Sequence, residues 1–259
     1  MKITLCLIGL LLVHLCSAQS KNSFSERIAY LDKNAKPVKE RQAALLQQRL
    51  YFNDSLWEFN IYYLYGPRAV SMQFRDEEGQ VLNGRYIVYS PDGYCDTIGQ
   101  YVNGKREGVW RVLTPKGRTG YQLDYNNGVL TGVRDSVQLR EEARKRSDSA
   151  GKVWPTVEIE SEFPGGAHGW VQYMLHRLRY PQRAFERHIE GKAAVTFMVD
   201  SEGRIETGDM YIQRSVEYSI DQTVLQLIRD SPAWTPATQD GQAVRSYKTQ
   251  PFGFKLPAK

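Results

Sequence analysis

Three cysteines, four histidines and a spread of carboxylates are the side chains of this 259-residue chain that could do covalent or metal chemistry. A zinc site needs several such ligands to converge, often two from one helical turn. His168, His176 and His188 have no spacing that puts two ligands on one turn, and Cys95 is distant from all three in sequence. As a nucleophile Cys95 would need a nearby base, and no neighbour marks one; a small half-buried thiol is the ordinary use of such a residue. Asp200 and Glu202 sit in a Asp-Ser-Glu-Gly turn, where solvation is the default. Phe163-Pro164-Gly165-Gly166 reads as a helix entry and lacks the spacing of a phosphate cradle. The expectation is therefore no enzyme, no metal, no cofactor and no small-molecule substrate. What remains is binding.

The N-terminus sets the expected compartment. Lys2 precedes an apolar run from Ile3 to Leu15, and Cys16-Ser17-Ala18 supplies small residues before Gln19. The run is shorter than the roughly 20 residues of a spanning helix. Residues 1–18 thus read as a secretory signal cleaved after Ala18, giving a periplasmic protein. An uncleaved inner-membrane anchor is the alternative, and lipidation at Cys16 is disfavoured by the bulky Leu15 before it. Cleavage would leave Cys95 alone, so no internal disulfide could staple the fold. The chain carries 34 Lys and Arg against 29 Asp and Glu, and losing Lys2 takes the net charge from +5 to +4. Basic residues such as Arg140, Arg144, Lys145 and Arg146 are interleaved with acids, unlike a nucleic-acid stripe.

The elements that must position a binding surface fall into two blocks. In the first, Gly84, Gly108 and Gly132 are 24 residues apart, as are Gly93 and Gly117, Tyr101 and Tyr125, and Tyr86 and Trp110. A fixed period of this size signals stacked supersecondary units. Each unit reads as strand, Gly-containing turn, strand, turn, with Asp92-Gly93 and Asn103-Gly104 as tight turns. Ile61 to Gly79 reads as a degenerate first copy, with Tyr62 and Tyr65 in the places of Tyr86 and Tyr89. Tyr51 to Tyr65 suggests strands leading into it. Residues 19–133 make one β-repeat domain, and a charged linker, 134–160, follows with an exposed helix over Val137 to Arg146.

The second block covers residues 161–259. Trp170, Met174, Leu175 and Leu178 trace one helical face, ending before Tyr180-Pro181. Pro181 is suited to open a short second helix, with Ala184 and Phe185 inward and Gly191 as its C-terminal cap. Ala193 to Val199 reads as a strand, Asp200 to Gly203 as a turn and Arg204 to Ile212 as the returning strand. Ser219-Ile220-Asp221-Gln222 has the form of a capping box before a helix that buries Ile220, Val224, Leu227 and Ile228. Val244 to Phe254 is a last strand, and Pro251 inside it points to a sheet edge.

Gly99 to Trp110, with its Asn103-Gly104-Lys105, resembles a MORN-type repeat of the YwqK-like kind. Glu162-Phe163-Pro164-Gly165-Gly166, Tyr180-Pro181, Gly191, Val199-Asp200 with Gly203, Trp234-Thr235-Pro236 and Pro251 to Leu256 together resemble the TonB C-terminal domain of Bacteroidetes-type energy transducers. The fold expected is two domains: an all-β antiparallel meander of MORN-like repeats, then an α+β domain with an antiparallel sheet of about three strands packed with helices. The resemblance implies binding of the TonB box of an outer-membrane TonB-dependent receptor by strand addition. It implies Tyr180, Pro181, Trp234, Val244, Arg245, Ser246, Tyr247 and Lys248 as partner-binding residues, although Tyr180 and Trp234 also suit core packing. A homodimer is possible within that family. The short signal and missing Pro-rich spacer depart from a working transducer, which leaves open a structural or adaptor protein that uses the repeat sheet for protein or peptidoglycan contacts.

Overall fold

A computed structural model describes residues 25–53, 56–114, 119–132, 153–154 and 157–257. The expected signal and the helix expected over Val137 to Arg146 lie outside these residues. The described residues form two compact units. The first runs to Leu130 without 92–95, and the second takes 92–95 and the residues from Thr131 on.

The first unit is one antiparallel sheet of nine strands in sequence order: β1 (Ser25–Leu31), β2 (Leu45–Asn53), β3 (Leu56–Tyr63), β4 (Arg68–Phe74), β5 (Leu82–Tyr89), β6 (Cys95–Val102), β7 (Lys105–Leu113), β8 (Thr119–Asp124) and β9 (Val129–Gly132). The stretch from Ala43 to Leu50, which has no clear period in sequence, lies largely in β2. The 24-residue period is one hairpin long: β5 with β6, then β7 with β8. Its physical purpose is an aromatic ladder on one face. Tyr86, Tyr101, Trp110 and Tyr125 are the repeated positions, and their rings meet at centroid distances of 5.2 to 5.9 Å. Trp110 lies flat over Gly99, where a Cβ would fall 2.2 Å from the indole. The Arg106 guanidinium closes the ladder, 4.6 Å from the Trp110 ring and bonded to the Tyr125 hydroxyl.

The degenerate first copy is the β3–β4 hairpin. Tyr62 is buried, and Tyr65 has left the strand for the turn, with a positive φ of 61°. The turn here comes earlier than the repeat would put it. Strand β3 is buried on both sides. Trp57 and Phe59 pack with Phe74, Met72, Tyr51 and Leu82. The opposite side is polar. Asn60 donates to Gln48 and Glu58 at 3.0 Å, and Gln73 donates to Glu58 at 3.1 Å. This cross-strand polar row was not anticipated, because each member taken singly looks like an outward position of an alternating strand.

The second unit holds helices α1 (Gly166–Arg177), α2 (Gln182–Glu186) and α3 (Tyr218–Arg229), with strands β10 (Val153–Trp154), β11 (Gly191–Val199), β12 (Ile205–Arg214), β13 (Ala237–Gln239) and β14 (Gln242–Phe254). The sheet order is β10-β14-β11-β12, with β13 paired to β14. Five strands replace the expected three or so; the additions are two and three residues long, too short to show a period. Strand β10 joins in parallel and the other pairs are antiparallel. Val195, Phe197 and Val199 are fully buried, as are Ile220, Val224 and Ile228 of α3, which packs on β11 and β12.

Four local expectations need correction. Leu175 is 66% exposed and Phe185 53% exposed, so neither faces inward. Gly191 opens β11 opposite Phe254, and the left-handed residue after α2 is His188 at φ 54°. Pro181 is the N-cap of α2 and not its first helical residue. The capping box is displaced: Glu217 caps α3, accepting from the Ser219 N–H at 2.7 Å and the Ser219 hydroxyl at 2.6 Å. A glutamate reaching forward was less visible in the sequence than Ser-x-x-Gln because Glu is a weaker capping signal.

Candidate recognition edge

Strand β14 is the element on which the implied contact residues converge. On one side Ser246 to Phe254 pairs with Val199 to Gly191 without a register shift. Antiparallel neighbours direct their main-chain polar groups alternately to one side and the other. The ladder runs through Pro251, which has no N–H to give, so Pro251 belongs to the set facing away from β11. Tyr247, Thr249 and Gly253 share that set. Among the described residues no strand pairs with this side beyond Ser246. The stretch thus offers the N–H groups of Thr249 and Gly253 and the carbonyls of Thr249, Pro251 and Gly253, of which the Pro251 carbonyl accepts from the Gln250 side chain at 3.2 Å.

The first third of β14 is already used. Val244 pairs with Ala237 of β13, and Arg245 and Ser246 pair with Val153 and Trp154 of β10. The edge expected over Val244 to Phe254 is therefore an edge only beyond Tyr247. Arg245 makes a two-pronged ion pair to Glu206, at 2.6 and 2.7 Å, across the intervening sheet surface. Ser246 is buried. Tyr247 is 46% exposed and is the one large side chain of the implied set that stands in solvent. Lys248 is half-buried; its ammonium donates to the Ser161 carbonyl at 2.6 Å and lies 5.9 Å from the Trp234 ring.

The remaining implied residues hold the edge from behind. Trp234 is core. Its ring meets Phe163, Trp170 and Phe197 at 5.5, 5.7 and 5.1 Å, and its indole N–H donates to the Ser231 hydroxyl at 3.0 Å. Gly203 lies against its backbone: Trp234 N–H donates to the Gly203 carbonyl at 2.7 Å. Tyr180 donates to the Ile189 carbonyl at 2.5 Å and stacks edge-on to Phe254 at 5.5 Å. Burial and the nearby Glu190 carboxylate both raise its phenol above the ordinary range. Phe252 and Phe254 are buried, which anchors the far end of β14. Sequence reasoning missed Thr249 and Gly253, whose contribution is backbone; the in-strand position of Pro251 was the available signal.

The chemistry open to this arrangement is main-chain pairing. Among the described residues there is no cluster of His, Cys, Asp and Glu that could hold a metal, and no helix is long and apolar enough to cross a membrane.

Residues 176–256, from the end of α1 to just past β14, match the protein family described as Gram-negative bacterial TonB protein C-terminal. The match takes in the whole β11–β12–α3–β14 assembly and does not extend to the repeat sheet. No curated protein matches the chain.

Proposed function

We propose that this is a non-enzymatic periplasmic binding protein that engages outer-membrane TonB-dependent receptors by adding a receptor strand along β14. The observation that carries the reading is the side of β14 from Thr249 to Gly253 on which no described strand pairs, inside a segment that matches the TonB C-terminal family. Strand addition takes its affinity from main-chain hydrogen bonds and its specificity from alternate side chains. Thr249 and Gly253 would supply the donors, and the exposed Tyr247 ring the first side-chain contact. Tyr180, Pro181, Trp234 and Lys248 would act by holding that strand in place. The repeat sheet, with its MORN-like period, would be a second module on the same exported chain, delivered by the N-terminal signal.

The test is titration of the full chain with a synthetic receptor TonB-box peptide. Gly253→Pro removes one outward donor; a Cβ at 253 meets nothing within 4 Å, and circular dichroism of the variant checks that the strand accepts the proline ring. Loss of one such bond, worth about 0.5–1.5 kcal/mol, weakens binding roughly two- to tenfold. No binding by the parent chain at high micromolar peptide would sink the reading and favour a structural adaptor that works through the repeat sheet.

A further inference from the structure

The side of β14 on which Thr249 and Gly253 present their N–H groups is occupied a little earlier along the same strand. Strand β10 pairs there in parallel, Val153 opposite Arg245 and Trp154 opposite Ser246. In a parallel pair a residue bonds to the two neighbours of the residue it faces, giving its N–H to one and accepting at its carbonyl from the other. Arg245 and Tyr247 share the alternation of Pro251, so they are the β14 residues turned away from β11 and toward β10. The Trp154 N–H therefore donates to the Arg245 carbonyl, and the Trp154 carbonyl accepts from the Tyr247 N–H. The donor that would extend the edge before Thr249 is already engaged within the chain.

What β10 leaves uncovered is short. Strand addition draws its affinity from main-chain bonds, and two N–H groups interrupted by Pro251 are a weak hold. Continuing the run back to Arg245 adds the Tyr247 N–H and the Arg245 carbonyl. An incoming strand reaches both only by taking the place of β10. The chain just after β10 is firmly fastened. The Glu158 and Ile159 N–H groups donate to the Thr238 carbonyl at 3.2 Å, and the Thr238 N–H donates to the Ile159 carbonyl at 2.9 Å. Glu162 and Thr235 exchange main-chain bonds at 3.0 and 2.7 Å, and the Lys248 ammonium holds the Ser161 carbonyl. Strand β10 itself has two residues. Only Pro155, Thr156 and Val157 separate it from the fastened segment. A released β10 thus stays beside its place, at the high effective concentration that a short tether gives. Two bonds make it displaceable, and the tether makes it return.

We propose that β10 is a built-in competitor for the recognition edge: it covers Arg245 and Tyr247 in the free chain, and a receptor strand binds fully only by displacing it. This rests on β14 being the receptor edge. The apparent affinity of the edge is lowered by the fraction of chains in which β10 is docked.

The test combines titration of the full chain with the synthetic TonB-box peptide and residue-resolved amide exchange by NMR. Trp154→Pro removes the N–H that the Arg245 carbonyl accepts and leaves β14 itself unchanged. Val153→Pro is the control: in this register the Val153 N–H points away from β14, and the first residue of a strand accepts proline. With two main-chain bonds involved, Trp154→Pro tightens peptide binding roughly five- to hundredfold. In the free variant the Tyr247 amide exchanges faster than in the parent, because its acceptor has left. Val153→Pro leaves both readings near those of the parent. In the parent, saturating peptide deprotects the Trp154 amide while the Thr249 amide gains protection. Peptide binding that protects Thr249 with Trp154 still protected, and with equal affinity in the parent and Trp154→Pro, overturns the proposal and leaves β14 as the receptor edge. A gain in Val153→Pro equal to that in Trp154→Pro also overturns it, since the register then does not matter. Binding by neither the parent nor Trp154→Pro overturns both the proposal and the reading of β14 on which it rests.

Discussion

Gly203 is where the turn after β11 and the tryptophan core meet most tightly, so Gly203→Ala tests how the recognition edge is supported. Its φ is +83°, and a Cβ there would lie 1.9 Å from the Trp234 carbonyl oxygen. The left-handed backbone alone costs an L-residue about 1–2 kcal/mol. The collision adds to this, because the struck atom is backbone and cannot rotate away. Relief requires moving the segment that carries Trp234, whose ring packs on Phe163, Trp170 and Phe197. Weakening two of these pairs, at about 0.5–1.5 kcal/mol each, brings the total to about 3 kcal/mol. For a domain of this size that is a fall in melting temperature of roughly 12–24 °C. Near-ultraviolet circular dichroism, which reads tryptophan packing, is the measurement, with Gly208→Ala as control. A Cβ at 208 meets nothing within 4 Å and its φ is not positive, so the control should change little. If Gly203→Ala melts within 3 °C of the parent, the contact does not hold the two segments together and the reasoning is wrong.

Glu217→Ala removes the α3 cap and leaves Arg183 without its buried partner, and should cost about 3 kcal/mol in urea unfolding. Gly99→Ala drives a methyl into the Trp110 ring and should cost about 1–3 kcal/mol in the repeat sheet, with a change in the tryptophan signal. For Asp200, burial pushes the carboxyl up, but the N–H and guanidinium of Arg204 and the N–H of Glu202 outweigh it and hold it below its ordinary value. A depressed folded value stabilises above the unfolded value, about pH 4, and the contribution is lost as pH falls through the folded one. Carboxyl titration by NMR should find Asp200 low, and Arg204→Ala should move it upward.

The parts legible in sequence were those where one constraint dominates. The 24-residue period survives because Tyr86, Tyr101, Trp110 and Tyr125 must meet at fixed ring distances along one sheet face. The buried row of α3 was legible because Ile220, Val224, Leu227 and Ile228 keep a strict helical spacing under the sheet. Helix α1 misled because its apolar residues go all round: Trp170 takes the core, while Val171 and Leu175 point outward, and spacing alone cannot say which face is covered. Strands β10 and β13 are too short for any pattern. The polar row of Gln48, Glu58, Asn60 and Gln73 was invisible for a different reason. Alternation identifies the faces of a strand, but nothing local says that both will be buried. On the recognition edge, Pro251 marked the strand correctly, yet the side chains singled out near it are mostly support, since a main-chain donor leaves no trace in residue type.

Pro251 also bears on why an open edge here need not be a route to self-association. Thr249 to Gly253 exposes donors at Thr249 and Gly253, with a carbonyl but no donor at Pro251. A single incoming strand loses one bond opposite the proline, and the orphaned carbonyl stays near solvent at the sheet edge, where the loss is small. Two copies of β14 meeting edge to edge would each bring the same gap. A two-fold arrangement then carries two missing bonds over a run that offers only two donors per strand. Proline on an edge strand is a known guard against such pairing. The same residue therefore lowers the affinity of the chain for itself more than for a foreign strand. That asymmetry favours a heterologous partner over a dimer built through β14, and it places the discriminating feature in the backbone, next to the buried Phe252 and Phe254 that anchor the end of the ladder.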